Sequence, residues 1–163
     1  MLRIVSGGQT GVDRAALDAA LALGLPCGGW CPRGRRAEDG PIPPRYPLRE
    51  TPSADFAQRT AWNVRDADAT LVLTRGRPAG GTALTVALAR RLGRSLLILD
   101  LGRDPDPSAL RRWIGRQRVA TLNVAGPRES QQPGVHDEAR RFLETALRGT
   151  GALPGDQDQS GGE

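Results

Sequence analysis

A chain of 163 residues with 38% hydrophobic but only 4% aromatic side chains carries enough aliphatic surface to close one core without staples, and reads as a single domain. All 23 basic residues are Arg and none is Lys, which excludes a P-loop lysine, a Schiff-base lysine and a lysine general base, and with them P-loop nucleotide hydrolysis and pyridoxal phosphate chemistry. The net charge of +5 comes from scattered arginines rather than a basic stripe or nucleic-acid module, and no leader or long apolar run is evident; the expectation is a cytoplasmic protein working away from nucleic acid and membrane.

In chain order, Leu2–Val5 reads as a strand. It feeds the glycine turn Ser6-Gly7-Gly8-Gln9-Thr10-Gly11 and a helix over Val12–Leu23, with Ala16, Leu17, Ala20 and Leu23 on one face and a stop at Gly24. Pro26–Cys31 reads as a short strand. Its cysteines, Cys27 and Cys31, have neither redox nor zinc spacing, since the lone histidine is His136. They read as buried or half-buried thiols, or Cys31 as a thiolate near a ligand. Pro32–Pro52 is a long polar loop, a type more often functional than idle. A helix over Asp55–Asp66 and a strand over Ala69–Leu73 lead to the turn Ala79-Gly80-Gly81-Thr82. A helix over Gly81–Leu92, a strand over Ser95–Asp100, a helix over Ser108–Gly115 and a strand over Val119–Asn123 follow. The turn Asn123-Val124-Ala125-Gly126-Pro127-Arg128 and a helix over Gly134–Arg148 complete the pattern. The apolar runs Leu71–Leu73 and Leu96–Leu99 read as strands buried on both faces, and helices between strands imply a parallel sheet. The expected architecture is a Rossmann-like three-layer α/β/α fold with a mainly parallel sheet over residues 1–148, followed by a disordered tail over 149–163.

A strand that feeds a glycine turn and a helix N-terminus aims backbone N–H groups outward, where they suit a phosphate. In an open α/β sheet the three turns gather beyond the carboxyl ends of the strands. One site for a small phosphorylated ligand is therefore expected, built from Gly7, Gly8, Gln9, Thr10 and Gly11, from Gly80, Gly81 and Thr82, and from Asn123, Gly126, Arg128 and Ser130. Arg14 lies just inside the first helix. Arg59 and Asn63, four apart, share a helix face and can reach the same anion. Each has a plainer reading: glycine serves any tight turn, Asp13 and Arg14 form a local ion pair, Arg59 and Asn63 brace loops, and Arg128 pairs with Glu129 or Asp137. The dinucleotide fingerprint G-x-G-x-x-G is absent. No catalytic residue and no metal ligand is assigned.

Taken together, Ser6-Gly7-Gly8-Gln9-Thr10-Gly11-Val12-Asp13, Gly29-Trp30-Cys31-Pro32 with Ala37-Glu38-Asp39-Gly40, Arg59-Thr60 with Asn63-Val64, Gly80-Gly81-Thr82, and Asn123 to Ser130 resemble the SLOG superfamily, whose best-known enzymes are nucleoside-monophosphate phosphoribohydrolases. Their order is similar to a circularly permuted branch of molybdenum cofactor carriers, over roughly residues 1 to 148. The resemblance implies a homo-oligomer, dimer or tetramer, that binds molybdenum cofactor (molybdopterin) or molybdate, with molybdoenzymes or cofactor-synthesis proteins as partners. It singles out Arg14, Arg59 and Arg128, and implies that replacing Arg59 or Arg128 weakens binding without unfolding the chain. One departure bears on catalysis: the phosphoribohydrolases follow the Gly-Thr turn with glutamates, whereas Thr82 is followed by Ala83-Leu84-Thr85-Val86, which removes the partner of an oxocarbenium-like transition state. Glu38, Asp39 and Glu129 could substitute as acids, so a nucleotide-processing N-glycosidic hydrolase, or a nucleotide-binding sensor, stays open. Trp62 and Trp113 read either as core or as oligomer interface.

Overall fold

The structure is a computed structural model that describes residues 1–150. Most of the tail expected over 149–163 lies outside the described residues. Gly149 and Thr150 extend the last helix as a turn, in which the Thr150 N–H donates to the Leu147 carbonyl at 3.1 Å.

Among the described residues, nine strands and five α-helices follow in the order β1 (Arg3–Val5), α1 (Val12–Leu23), β2 (Cys27–Gly28), β3 (Trp30–Cys31), β4 (Arg36–Ala37), β5 (Gly40–Pro41), β6 (Arg49–Glu50), α2 (Phe56–Asp66), β7 (Ala69–Thr74), α3 (Gly80–Arg91), β8 (Ser95–Asp100), α4 (Pro107–Arg116), β9 (Thr121–Ala125) and α5 (Val135–Leu147). Five of the strands form one sheet in the order β2-β1-β9-β7-β8. Its pairings are all parallel, with Leu71 opposite Leu97 on one side and Val124 on the other. Helices α1, α4 and α5 pack together, as do α2 and α3, which gives the expected Rossmann-like three-layer α/β/α fold. Every residue of β7 is buried, as its unbroken Ala-Thr-Leu-Val-Leu-Thr run requires of a central parallel strand. Trp113 sits in the main core, 8% exposed, and Trp62 packs edge-on against Trp30 with ring centroids 4.8 Å apart.

Three expectations need correction. Leu96–Leu99 is not buried on both faces: β8 is an edge strand, half-buried at every position, because composition alone does not tell an edge from a centre. The Pro26–Cys31 strand breaks at Gly29, whose φ of 122° turns the chain out of the main sheet, so that β2 pairs with β1 while β3 pairs with β6. The strand expected over Val119–Asn123 begins later, since the Val119 N–H still donates to the Ile114 carbonyl at 3.1 Å. The Asp68 carboxylate then accepts from the N–H groups of Ala120 and Thr121 at 2.9 and 2.8 Å, which fixes where pairing starts.

The 32–52 segment is ordered by its own polar and apolar contacts. Arg35 donates to the carbonyls of Ile42, Pro43 and Tyr46 at 3.0, 2.9 and 3.0 Å, and Ile42 and Tyr46 join Leu17 and Cys31 in a small second core. Burial there pushes the Cys31 thiol above its usual range, as it does at Cys27. The environment is that of buried thiols rather than of a reactive thiolate.

Candidate functional site

The loops after β1, β7 and β9 meet beyond the carboxyl ends of the strands, as an open α/β sheet dictates, and enclose a cleft of about 180 Å³. Gly7, Gln9 and Asp13 line it from the first turn. Phe56, Arg59 and Asn63 face it from α2, Gly81, Thr82 and Thr85 from α3, and Asn123, Gly126, Arg128 and Gln131 from the third turn. Four separate segments of sequence thus converge on one site.

The three turns do not offer equal seats for an anion. In the first, side chains take up the backbone donors: Gly8 N–H bonds Ser6 Oγ at 3.4 Å, Gln9 N–H bonds Asp13 Oδ2 at 3.3 Å and Thr10 N–H bonds Gln9 Oε1 at 3.0 Å. Val12 N–H bonds the Pro127 carbonyl at 3.2 Å. In the third, Arg128 N–H donates to Gln131 Oε1, Glu129 N–H to Thr10 Oγ1 and Ser130 N–H to Glu38 Oε1, at 3.1, 3.2 and 3.2 Å. Among the described residues the second turn keeps two adjacent open donors, and the first keeps those of Gly11 and Asp13. Helix α3 has Ala79 at its N-cap and no side-chain cap, and the N–H groups of Gly80 and Gly81 have no hydrogen-bond partner among the described residues. The positive end of the α3 dipole faces the cleft through Gly81, which lines it, whereas Gly80 stands outside the lining. Ser6, Gln9, Thr10, Asp13, Glu38 and Gln131 take up most of the backbone donors of the other two turns.

Arg59 is the most firmly held cation. It is 8% exposed; its Nη1 donates to the Gly7 carbonyl at 2.9 Å, its Nε to the Phe56 carbonyl at 3.3 Å, and its guanidinium lies 5.3 Å from the Phe56 ring centroid. Asp13 Oδ2 is 3.6 Å from Nη1, and Nη2 has no hydrogen-bond partner among the described residues. A guanidinium fixed on one edge and open on the other is preorganised for an anion, since little rotamer entropy remains to be lost. Burial raises the Asp13 pKa to about 6, more than its charge pairing with Arg59 and its hydrogen bond from Gln9 lower it.

The other predicted residues divide between lining and support. Arg128 lines the cleft with its side chain 42% exposed, and its Nε lies 3.9 Å from Glu38, a partner different from the Glu129 or Asp137 expected. Asn63 lines the cleft, but its amide is spent on β3, accepting from Trp30 N–H at 2.8 Å and donating to the Trp30 carbonyl at 2.9 Å. Asn123 donates to Thr70 Oγ1 at 3.3 Å. Arg14 stands outside the lining: its guanidinium grips Asp39 at 2.5 and 3.1 Å and the Gly8 carbonyl at 3.2 Å. Gly8 abuts Ile42 and Leu48, and Gly11 abuts the Pro127–Glu129 backbone. Thr10 and Ser130 both donate to the Glu38 carboxylate. Burial opposes ionisation of Glu38, yet those hydrogen bonds outweigh it and hold its carboxyl below the usual range.

The three acids weighed for hydrolysis are therefore engaged elsewhere. Glu38 joins the β4–β5 hairpin to two turns, Asp39 holds Arg14, and Glu129 accepts from the N–H groups of Gly134 and His136 at 2.5 and 3.0 Å at the start of α5. The carboxylate that lines the cleft is Asp13. Sequence reasoning gives it a local ion pair with Arg14, and leaves Phe56, Thr85 and Gln131 out of the site. Phe56 carried a usable signal: it is one of two phenylalanines and stands one turn from Arg59. Gln131 carried none.

The family model described as the circularly permutated YpsA SLOG family matches residues 4–147. The crystal structure of a "Putative molybdenum carrier protein" from Syntrophus aciditrophicus SB is similar, with 40% sequence identity over 90% of this chain and 95% of that one and a TM-score of 0.85. No curated protein matches the chain. Among the described residues no helix is long and apolar enough to cross a membrane.

Proposed function

We propose, for a chain that belongs to the circularly permuted YpsA SLOG family, that the cleft binds molybdenum cofactor as cargo, seating its phosphate monoester at the N-terminus of α3. The observation that carries this reading is the pair of N–H groups at Gly80 and Gly81 without a partner among the described residues, at the start of the helix that brings Gly81 to the cleft lined by Arg59. A phosphate at a helix N-terminus gains both hydrogen bonds and the dipole. The name given to the Syntrophus protein supports a molybdenum-containing ligand.

The donor set fits such a cargo. The lining is rich in N–H and O–H donors from Arg59, Arg128, Gln9, Gln131 and Thr82, and holds neither a cysteine nor a histidine. These groups grip oxygen atoms of phosphate, pterin carbonyl and metal-oxo groups through hydrogen bonds, so cargo can be released intact. A carrier of this kind would hand the cofactor to molybdoenzymes from a homo-oligomer. The hydrolase alternative finds less support, because Glu38, Asp39 and Glu129 serve as structural ties and Thr85 donates its hydroxyl to the Gly81 carbonyl at 3.1 Å.

Ala79→Asp tests the seat. A carboxylate at the N-cap would satisfy the open α3 donors, so the variant should be about 1 kcal/mol more stable than the parent while binding the cofactor more weakly, since the new carboxylate competes with the phosphate. Urea unfolding and a titration of the cofactor read the two effects. A variant that gains stability yet binds as tightly as the parent would place the phosphate elsewhere.

A further inference from the structure

We infer that when an oxyanion binds Arg59, Asp13 takes up one proton from solvent. The inference rests on the proposed anion site and adds its regulation: the cleft would load more tightly in mildly acidic conditions and release as the pH rises.

The geometry sets up a competition for one cation. Asp13 is buried, 7% exposed, and lines the cleft beside Arg59, 3.6 Å from Nη1. With an oxyanion on the same guanidinium, a buried carboxylate and a dianion would compete for the charge of Arg59. Like charges so placed favour protonation of one of them.

Among the surrounding groups Arg14 also lowers the Asp13 pKa, by less than Arg59 does. Arg14, on the same helix, is clasped by Asp39. Arg128, on the loop before α5, leans toward Glu38. From β3, Cys31 is buried and its thiol is held neutral by desolvation. The Asp13 carboxylate also accepts from two neutral backbone donors, the Gln9 N–H at 3.3 Å and the Gly7 N–H. The lowest-cost adjustment is an O–H bond on Asp13, which also gives the carboxyl a donor. Its ionisation near pH 6 in the unliganded protein places the exchange in an accessible range.

Inorganic sulfate is the suitable probe, because its charge stays at −2 between pH 5 and 8 and any proton taken up belongs to the protein. Calorimetric titration of the whole protein at pH 7 in two buffers of different ionisation heat should show close to one proton absorbed per sulfate bound. Affinity should fall by about tenfold per pH unit above the Asp13 ionisation, following the linkage slope for one proton. In Asp13→Asn the slope should vanish and sulfate should bind more tightly than in the parent at pH 8. Sulfate bound with no proton uptake and a flat pH profile would overturn the coupling and leave the anion site standing. No sulfate binding at any pH, with a folded protein, would overturn both.

Discussion

Gly126→Ala is expected to cost about 3 kcal/mol of stability, the upper range for overpacking a core position. A Cβ at Gly126 would lie 2.6 Å from Cγ2 and 2.7 Å from Cβ of Val12, and closer still to the Leu73 carbonyl oxygen. None of these atoms can yield: Val12 is fully buried on α1, and Leu73 belongs to the central strand β7. The glycine is there so that the third turn can cross between α1 and β7 at backbone distance, which is what brings Arg128 to the cleft. The informative control is Gly81→Ala, where a Cβ meets nothing within 4 Å; its stability should change by less than about 0.5 kcal/mol. Urea midpoints for the two variants should therefore separate widely. Equal midpoints would mean that the third turn is not packed as described.

Arg59→Ala should lose both anion binding and about 3–5 kcal/mol of stability, the range for removing one partner of a buried ion pair. The loss leaves Asp13 buried without its counter-charge and the Gly7 carbonyl without its donor. This revises the expectation that substitution at Arg59 weakens binding and spares the fold. Burial makes the difference, and burial was not visible in the spacing of Arg59 and Asn63. The double variant Asp13→Asn with Arg59→Ala should recover part of the stability but none of the binding. Arg128→Ala behaves differently: its side chain is 42% exposed and its nearest carboxylate oxygen is 3.9 Å away, so it should cost at most about 1 kcal/mol while still weakening binding. Unfolding midpoints and titrations on the three variants separate the roles. A fully stable Arg59→Ala protein would contradict the buried pair.

The layered fold was legible because β7 is a central strand with an unbroken apolar run and α1 has a clear apolar face, and both patterns are local. The edge position of β8 was not legible, since its Leu-Leu-Ile-Leu run looks like that of a central strand until pairing order is known. The site was legible as three glycine turns. Which turn keeps adjacent donors free was not, because the answer lies in contacts between segments far apart in sequence, Glu38 reaching Thr10 and Ser130 and Pro127 meeting Val12. Asp13 illustrates the same limit. At the start of a helix a carboxylate reads as a favourable dipole charge, and only its enclosure beside Arg59 turns it into a titratable element of a cleft.

The central claim, that the cleft carries molybdenum cofactor by its phosphate at the α3 N-terminus, is tested most directly by thermal unfolding of the protein with molybdenum cofactor, molybdate and a set of nucleoside monophosphates. A ligand that binds the folded state alone raises the unfolding midpoint by mass action. The account predicts a large upward shift with the cofactor, a smaller one with molybdate, and the loss of the cofactor shift in Ala79→Asp. A shift produced by nucleoside monophosphates alone would contradict it and assign the cleft to a nucleotide.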